Sequence, residues 1–321
     1  MINFKKLLLL LLILLPIPGH ALDQYPTKTV RIILPFSVGT SGDIIMRTIA
    51  QRLSEMYGQQ FVIDNRDGGL GIPATQIISR SEPDGYTLFF TGINHVTNLG
   101  LRDKLPYDTS ADFAPISLIA VIQTALVVSK KSDIKDYKEF IKKAKANPGE
   151  LTFASAGAGT GGHLSMEMFS QAMGISMRHI PYRGATGALN DVAGGQVDGL
   201  FTGIAAAMPL AQQGQLTVLV VSGSKKSPAF PNAPSLSELG LSQYDVQTWF
   251  GLLGRAGTPQ NIIQRLSADI SSILREPAVI ERFNSLSITP VGSSPQEFDA
   301  IIKKDIGRWP KLIRELGVTS Q

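Results

Sequence analysis

Leu151-Thr-Phe-Ala-Ser-Ala-Gly-Ala-Gly-Thr-Gly-Gly-His163 is the stretch from which the fold is read. Leu151 to Ala154 is a short apolar run with an aromatic. Four glycines follow within six residues, and His163-Leu-Ser-Met-Glu-Met-Phe169 then places apolar residues at helical spacing. The pattern predicts strand, glycine loop, helix. Glycine lets the backbone turn sharply and come close to whatever sits above the strand, and the first amides of a helix have no intrahelical acceptor. Such a loop is an anion site built from main chain. Gly157, Gly159 and Gly162 also fit G-x-G-x-x-G, the pyrophosphate loop of dinucleotide enzymes. That reading requires an acid for the ribose roughly 20 residues further on. Met177-Arg-His-Ile-Pro-Tyr-Arg183 has none, and the first acid after the loop's helix is Asp191. The residues favour a site for a small carboxylate over a tight structural turn, and a dinucleotide-dependent enzyme stays as the third reading.

The unit recurs upstream. Val30 to Leu34 reads as a strand, Phe36 to Gly42 as a loop, and Asp43 to Tyr57 as a helix stopped by Gly58, with Asp43 as its N-cap. Strand Phe61 to Asp64, loop Asn65 to Gly71, helix Ile72 to Arg80 and strand Tyr86 to Thr91 continue it. Leu118 to Ser129 is one long β-favouring segment, after which helices 136–147, 184–193 and 205–213 alternate with strands 177–181, 199–202 and 217–222. Alternation of this kind predicts parallel sheets with ligands at the carboxyl edge of the strands. Helices 259–274, 277–286 and 295–316 need a sheet to cover, so the chain is expected to return to its first sheet. The expected organisation is a leader at 1–21, a first lobe from 22–124 and 225–321, and a second lobe at 125–224. Two crossings join the lobes, and the glycine loops face each other across a cleft.

Residues 1–21 read as a secretory signal peptide. Lys5 and Lys6 precede an apolar run from Leu7 to Leu15, and Gly19 and Ala21 stand where a signal peptidase reads. Cleavage after Ala21 would place the mature chain in the periplasm, and no cysteine is present for lipid attachment. Loss of the two leader lysines takes the net charge from +4 to +2, which is no nucleic-acid footprint. The zero cysteine count removes disulfides, thiol nucleophiles and zinc–thiolate sites together. No G-x-S-x-G elbow and no carboxylate pair is evident, and His95, His163 and His179 lack metal-ligand spacing. An enzyme, a cofactor and a bound metal are therefore not expected. His179 reads as packed or surface-facing, Asp191 and Asp198 as capping or solvated, Trp249 and Trp309 as core or interlobe aromatics, and Lys142, Lys143 and Lys145 as a solvated helix face.

Pro35-Phe-Ser-Val-Gly-Thr-Ser-Gly-Asp43, Asn65-Arg-Asp-Gly-Gly69, Pro83-Asp-Gly-Tyr86, Tyr107-Asp108 with Asp112-Phe-Ala-Pro-Ile116, the loop ending at His163-Leu164, Pro181-Tyr-Arg-Gly184 and Gly195-Gln-Val-Asp198 follow one another in an informative order. Together they resemble the Bug family of extracytoplasmic solute receptors, which serve tripartite tricarboxylate transporters. The resemblance runs from Tyr25 to about Val318. It implies a two-lobed α/β periplasmic binding protein of the Venus-flytrap, type II-like kind, each lobe a mostly parallel sheet flanked by helices, acting as a monomer that closes over a small carboxylate. It also implies membrane subunits of such a transporter as partners, and carries the ligand site to Phe36, Ser37, Gly39, Thr40 and Ser41 on one side and Ala156, Gly157, Gly159, Thr160 and His163 on the other. Thr91, Asn94 and His95, after a strand at the expected cleft edge, join as lining candidates.

The chain departs from the family pattern in three places. Val38, Thr40 and Ser41 stand where relatives run glycines, and Leu70 stands for a glycine in the third loop. Thr202 stands where many relatives have an acid that meets a ligand amine, which favours di- or tricarboxylates or aromatic acids over amino acids. The far end of the pocket is expected to draw on Phe36, Thr202 and residues near Tyr244 to Trp249. A periplasmic carboxylate sensor signalling to a membrane kinase would look the same in this sequence.

Overall fold

The computed structural model describes residues 25–242, 246 and 248–319. The leader and its cleavage site, residues 1–21, lie outside the described residues, as do Tyr244, Asp245 and Gln247 of the stretch expected near the far end of the pocket.

In the first sheet, β1 (Val30–Leu34) pairs in parallel with β2 (Phe61–Asn65) and β3 (Thr87–Gly92). Val30, Ile32 and Leu34 point to one face, where they meet Ile45, Ile49 and Leu53 of α1 (Ser41–Tyr57). Ile33 and Phe89 point to the other, toward Trp309 and Ile313 of α10 (Pro295–Glu315). The period of two along the strands and of roughly 3.6 along the helices therefore meet in two separate apolar layers. α2 (Ile72–Ser79) and α3 (Asn94–Leu101) lie on the second face, and α8 (Gln260–Ile273) and α9 (Pro277–Ser285) on the first.

The segment read as one strand, Leu118 to Ser129, is two. β4 (Phe113–Ile122) belongs to the first sheet and β5 (Thr124–Ser129) to the second, with the change at Gln123. Gln123 Nε2 donates to the carbonyls of Ser222 and Lys225, at 2.9 and 2.8 Å, so it ties the outgoing crossing to the returning one. The second sheet runs β7 (Arg178–Pro181), β6 (Thr152–Ser155), β8 (Gly199–Gly203), β5 and β9 (Leu216–Val221). Its faces are covered by α4 (Tyr137–Ala146) with α5 (Gly161–Met173), and by α6 (Ala185–Gly194) with α7 (Ile204–Gln212).

Both sheets are mixed rather than mostly parallel. β10 (Thr248–Arg255), which periodicity did not reveal, lies at the centre of the first sheet, antiparallel to β3 and β4; β11 (Ile288–Pro290) is antiparallel to β4. In the second sheet β5 is antiparallel to both β8 and β9. The βα units supply the parallel pairs, whereas the strands next to the crossings enter without a helical crossover and run against them. Trp249 is core: its Nε1 donates to Asp305 Oδ2 at 2.8 Å, and its ring meets Phe298 edge-on.

Candidate functional site

The loops after β1 and β6 have the same stereochemistry. Thr40 and Thr160 are the N-caps of α1 and α5, each in extended backbone, with the hydroxyl oxygen accepting from the amide three residues on, Asp43 N and His163 N. Each hydroxyl donates to the carbonyl three residues back, Ser37 O and Gly157 O, both at 2.8 Å. The glycine before each cap has positive φ, +81° at Gly39 and +66° at Gly159. Its amide is held by the side chain four residues on: Gly39 N donates to Asp43 Oδ2 and Gly159 N to His163 Nδ1, both at 3.0 Å. One loop is thus braced by a carboxylate and the other by an imidazole. The N-cap expected at Asp43 is Thr40, because only the residue before Ser41 combines extended backbone with a reachable first-turn amide.

These braces leave the amides of Ser41, Gly42, Gly161 and Gly162 at the two helix starts, where no intrahelical acceptor exists. All four residues line one cleft of about 390 Å³. The glycines are there for space. A Cβ on Gly162 would stand 2.2 Å from the Phe201 carbonyl oxygen, and one on Gly161 2.4 Å from Thr248 Oγ1. Only without side chains does the start of α5 press this close to β8 and β10.

Three hydroxyls of residues that line the cleft are buried and have no partner among the described residues: Ser41 Oγ, Thr124 Oγ1 and Thr248 Oγ1, in residues 4, 2 and 7% exposed. A buried hydroxyl without a hydrogen bond is costly, about 1–3 kcal/mol, so three together mark a place built for a polar guest. Thr202, 6% exposed, lies on the same floor, and Ile93, Phe36, Ile122 and Phe250 form the apolar wall. Phe36 packs edge-on against Phe250 with ring centroids 5.2 Å apart.

Of the residues expected at the site, the cleft brings together Phe36, Ser37, Thr40, Ser41, Asn94, Ala156, Gly157, Thr160 and Thr202. Five do not line it: four are buried behind its surface, and Gly39 is exposed on the outside of its loop. Gly39 and Gly159 turn their amides inward to the braces already described, and Thr91 is buried in β3 opposite Gly251. His163 is 3% exposed, its ring stacked on His179 at 3.8 Å and its Nε2 3.4 Å from Glu167 Oε1. His95 is fully packed; its Nε2 meets the Thr109 carbonyl at 3.1 Å, and burial lowers its pKa to about 4. His179 is also held neutral, first by burial and then by the neighbouring His163, with a pKa of about 3, and its Nε2 is 2.6 Å from Ser155 Oγ. Asp198 accepts from Thr152 N and Oγ1, both at 2.8 Å, and Asp191 from Tyr182 OH at 2.5 Å, so both acids organise the second sheet's loops.

The cleft also contains residues that sequence reasoning passed over. Thr248 and Phe250 come from the unrecognised β10, and Thr124 from the crossing. Asp67, Arg102 and Arg183 come from three loops. The motifs Asn65-Arg-Asp-Gly-Gly69 and Pro181-Tyr-Arg-Gly184 were the signal for two of these; nothing local marked the rest. Asp43 sits 2% exposed beneath the first loop. Burial alone would raise its pKa, but hydrogen bonds from Arg47, the Gly39 amide and Asn65 hold the carboxyl below its usual range.

The sequence profile of the tripartite tricarboxylate transporter family receptor matches residues 45–318. The protein BugT of Bordetella pertussis, strain Tohama I, is 32% identical over 321 residues, which span 98% of each chain. Among solved structures, that of Rpa4515 from R. palustris with adipate has a TM-score of 0.88 at 32% identity, covering 92% of this chain and 99% of that one. MatC from Rhodopseudomonas palustris, with bound malate, has a TM-score of 0.83 at 28% identity, covering 90% and 100%.

Proposed function

This chain belongs to the tripartite tricarboxylate transporter receptor family, a family of solute receptors rather than enzymes, and on that premise we propose that it captures a small organic carboxylate between its lobes and delivers it to the membrane subunits of such a transporter. The observation that carries the reading is the convergence, on one cleft, of two capped helix N-termini from opposite lobes and three buried hydroxyls without partners. Amides and hydroxyls at helix starts stabilise a carboxylate by dipole and hydrogen bond without a deeply buried cation, and a neutral site of this kind also releases its guest. Adipate and malate, the ligands of Rpa4515 and MatC, make a dicarboxylate the first class to test.

Closure follows from where the ligand groups sit. Ser41 and Thr248 belong to the first lobe, while Gly161 and Thr202 belong to the second. A carboxylate held by both is bound better in the closed form, so it shifts the population toward that form, which the membrane subunits then recognise. The same proposal puts this cycle in the periplasm, with residues 1–21 acting as a signal peptide cleaved behind Ala21.

A thermal-shift panel of adipate, malate, citrate, hexanoate, benzoate, aspartate and NAD, on protein stripped of co-purified ligand by unfolding and refolding, tests the reading. A carboxylate at about 100 times its Kd adds roughly 2.7 kcal/mol, a shift of several degrees. A response to NAD alone, or none to any carboxylate, overturns it.

A further inference from the structure

The inner end of the cleft, with its amides and hydroxyls, satisfies one carboxylate; the outer end has different chemistry. Arg102, directly after α3 in the first lobe, and Arg183, between β7 and α6 in the second, both line the cleft and are exposed. Neither guanidinium has a partner among the described residues. Other arginines are engaged, as Arg47 is by Asp43, Arg52 by Glu276 and Arg255 by Asp112. Among the described residues one carboxylate lines the cleft, Asp67; it accepts from Ser37 Oγ at 2.7 Å and lies beside Gly184, with its Oδ2 3.3 Å from a Cβ built there.

The two arginines flank the same glycine loop. Leu101, next to Arg102, packs so closely on Gly159 that a Cβ there would lie 2.2 Å from Leu101 Cδ1, and the carbonyl of Tyr182, next to Arg183, lies 3.5 Å from a Cβ built on Gly157. Each lobe therefore brings one exposed cation, without a partner among the described residues, to a cleft that Ile93, Ile122 and Phe250 also line.

Resting on the carboxylate reading of the inner site, we propose that Arg102 and Arg183, one from each lobe, form a second anion subsite where the lobes already meet through Thr97 Oγ1 and the Gly159 carbonyl, at 2.9 Å. It selects carboxylates that carry another anionic group at the far end of a short apolar chain. A guanidinium suits this task because its planar fork meets a carboxylate with two parallel, charge-assisted hydrogen bonds. A monocarboxylate fills the inner site and brings no second anionic group to the two guanidiniums.

Calorimetric titration with two pairs of equal chain length, adipate with hexanoate and succinate with butyrate, separates the two levels of the argument. The wild-type protein is expected to bind the better dicarboxylate about 30-fold or more tightly than its monocarboxylate partner. Each of Arg102→Gln and Arg183→Gln removes about tenfold of that preference, the equivalent of one charge-assisted contact, and leaves hexanoate affinity and the ligand-free Tm unchanged. Arg183→Lys restores part of the loss. If the wild type binds none of the four acids, the carboxylate reading itself falls. If it binds hexanoate as tightly as adipate, or if the double variant keeps the wild-type ratio, the second subsite falls and the inner site stands.

Discussion

Replacing Thr248 with valine moves affinity and stability in opposite directions, and that opposition is the sharpest consequence of the cleft's geometry. Thr248 opens β10, is 7% exposed, and points its Oγ1 at the start of α5, where a Cβ on Gly161 would come within 2.4 Å of it. The hydroxyl has no partner among the described residues, so in the ligand-free chain its removal breaks no hydrogen bond among them. Valine keeps the shape and deletes the polar atom. Ligand-free Tm is therefore held or raised, since an unpaired buried hydroxyl is a liability of about 1–3 kcal/mol. On the proposed binding mode the same hydroxyl donates to a carboxylate, and a hydrogen bond to a charged group contributes about 1.5–3 kcal/mol. At 1.4 kcal/mol per tenfold, affinity falls by about 10- to 140-fold. Isothermal titration with adipate or malate, paired with ligand-free melting of both proteins, reads the two effects. A Kd within about threefold of wild type refutes the role given to the hydroxyl. So does a fall in ligand-free Tm of more than about 2 °C, roughly 1 kcal/mol for a chain of this size, because it would show the hydroxyl to be structural.

Asp43→Ala removes the acceptor for Gly39 N, Arg47 Nε and Asn65 Nδ2 at once; the expected cost is about 2–4 kcal/mol of unfolding free energy, measured by urea titration, together with weaker carboxylate binding. Gly159→Ala combines a backbone at φ +66° with a methyl 2.2 Å from Leu101 Cδ1, whereas Gly174→Ala, at φ +61°, meets nothing within 4 Å; the first is expected to lose about 1–3 kcal/mol more than the second, and equal losses would show that the contact yields freely. Stability is expected to fall with acid. His95 and His179 bind protons less readily in the folded chain, with pKa values of about 4 and about 3, than at the unfolded value near 6.5, so the unfolded state takes up more protons between these limits. Their contribution is full above about pH 6.5 and is lost as the pH falls through the folded values; His95→Gln should flatten the Tm profile between pH 7 and pH 4.

How much of this was legible in the sequence depends on whether a signal was local. The β6–α5 loop was found from its own residues, because four glycines after an apolar strand and before a helical pattern leave few conformations. Thr40 and Thr160 were found through the family resemblance, but their shared capping geometry was not, since a cap is defined by which amide its oxygen reaches. His163 was carried to the ligand site by the family resemblance; the Gly159 hydrogen bond and the stack on His179 turn it inward. His95 carried only its position after a strand, and α3 packs it against Phe113 instead.

What the sequence determined by itself was the set of βα units, their two glycine loops and the return of the chain to its first sheet, because periodicity, caps and turns act over a few residues. What only the tertiary structure decided was β10 and the residues it delivers. Gly251 and Gly254 interrupt its pattern, and its place between β3 and β4 depends on partners more than 100 residues away in sequence. The cleft inherits that dependence. Thr248, Thr124, Arg102 and Arg183 come from four separate elements, and no spacing along the chain encodes that their side chains meet at one cavity.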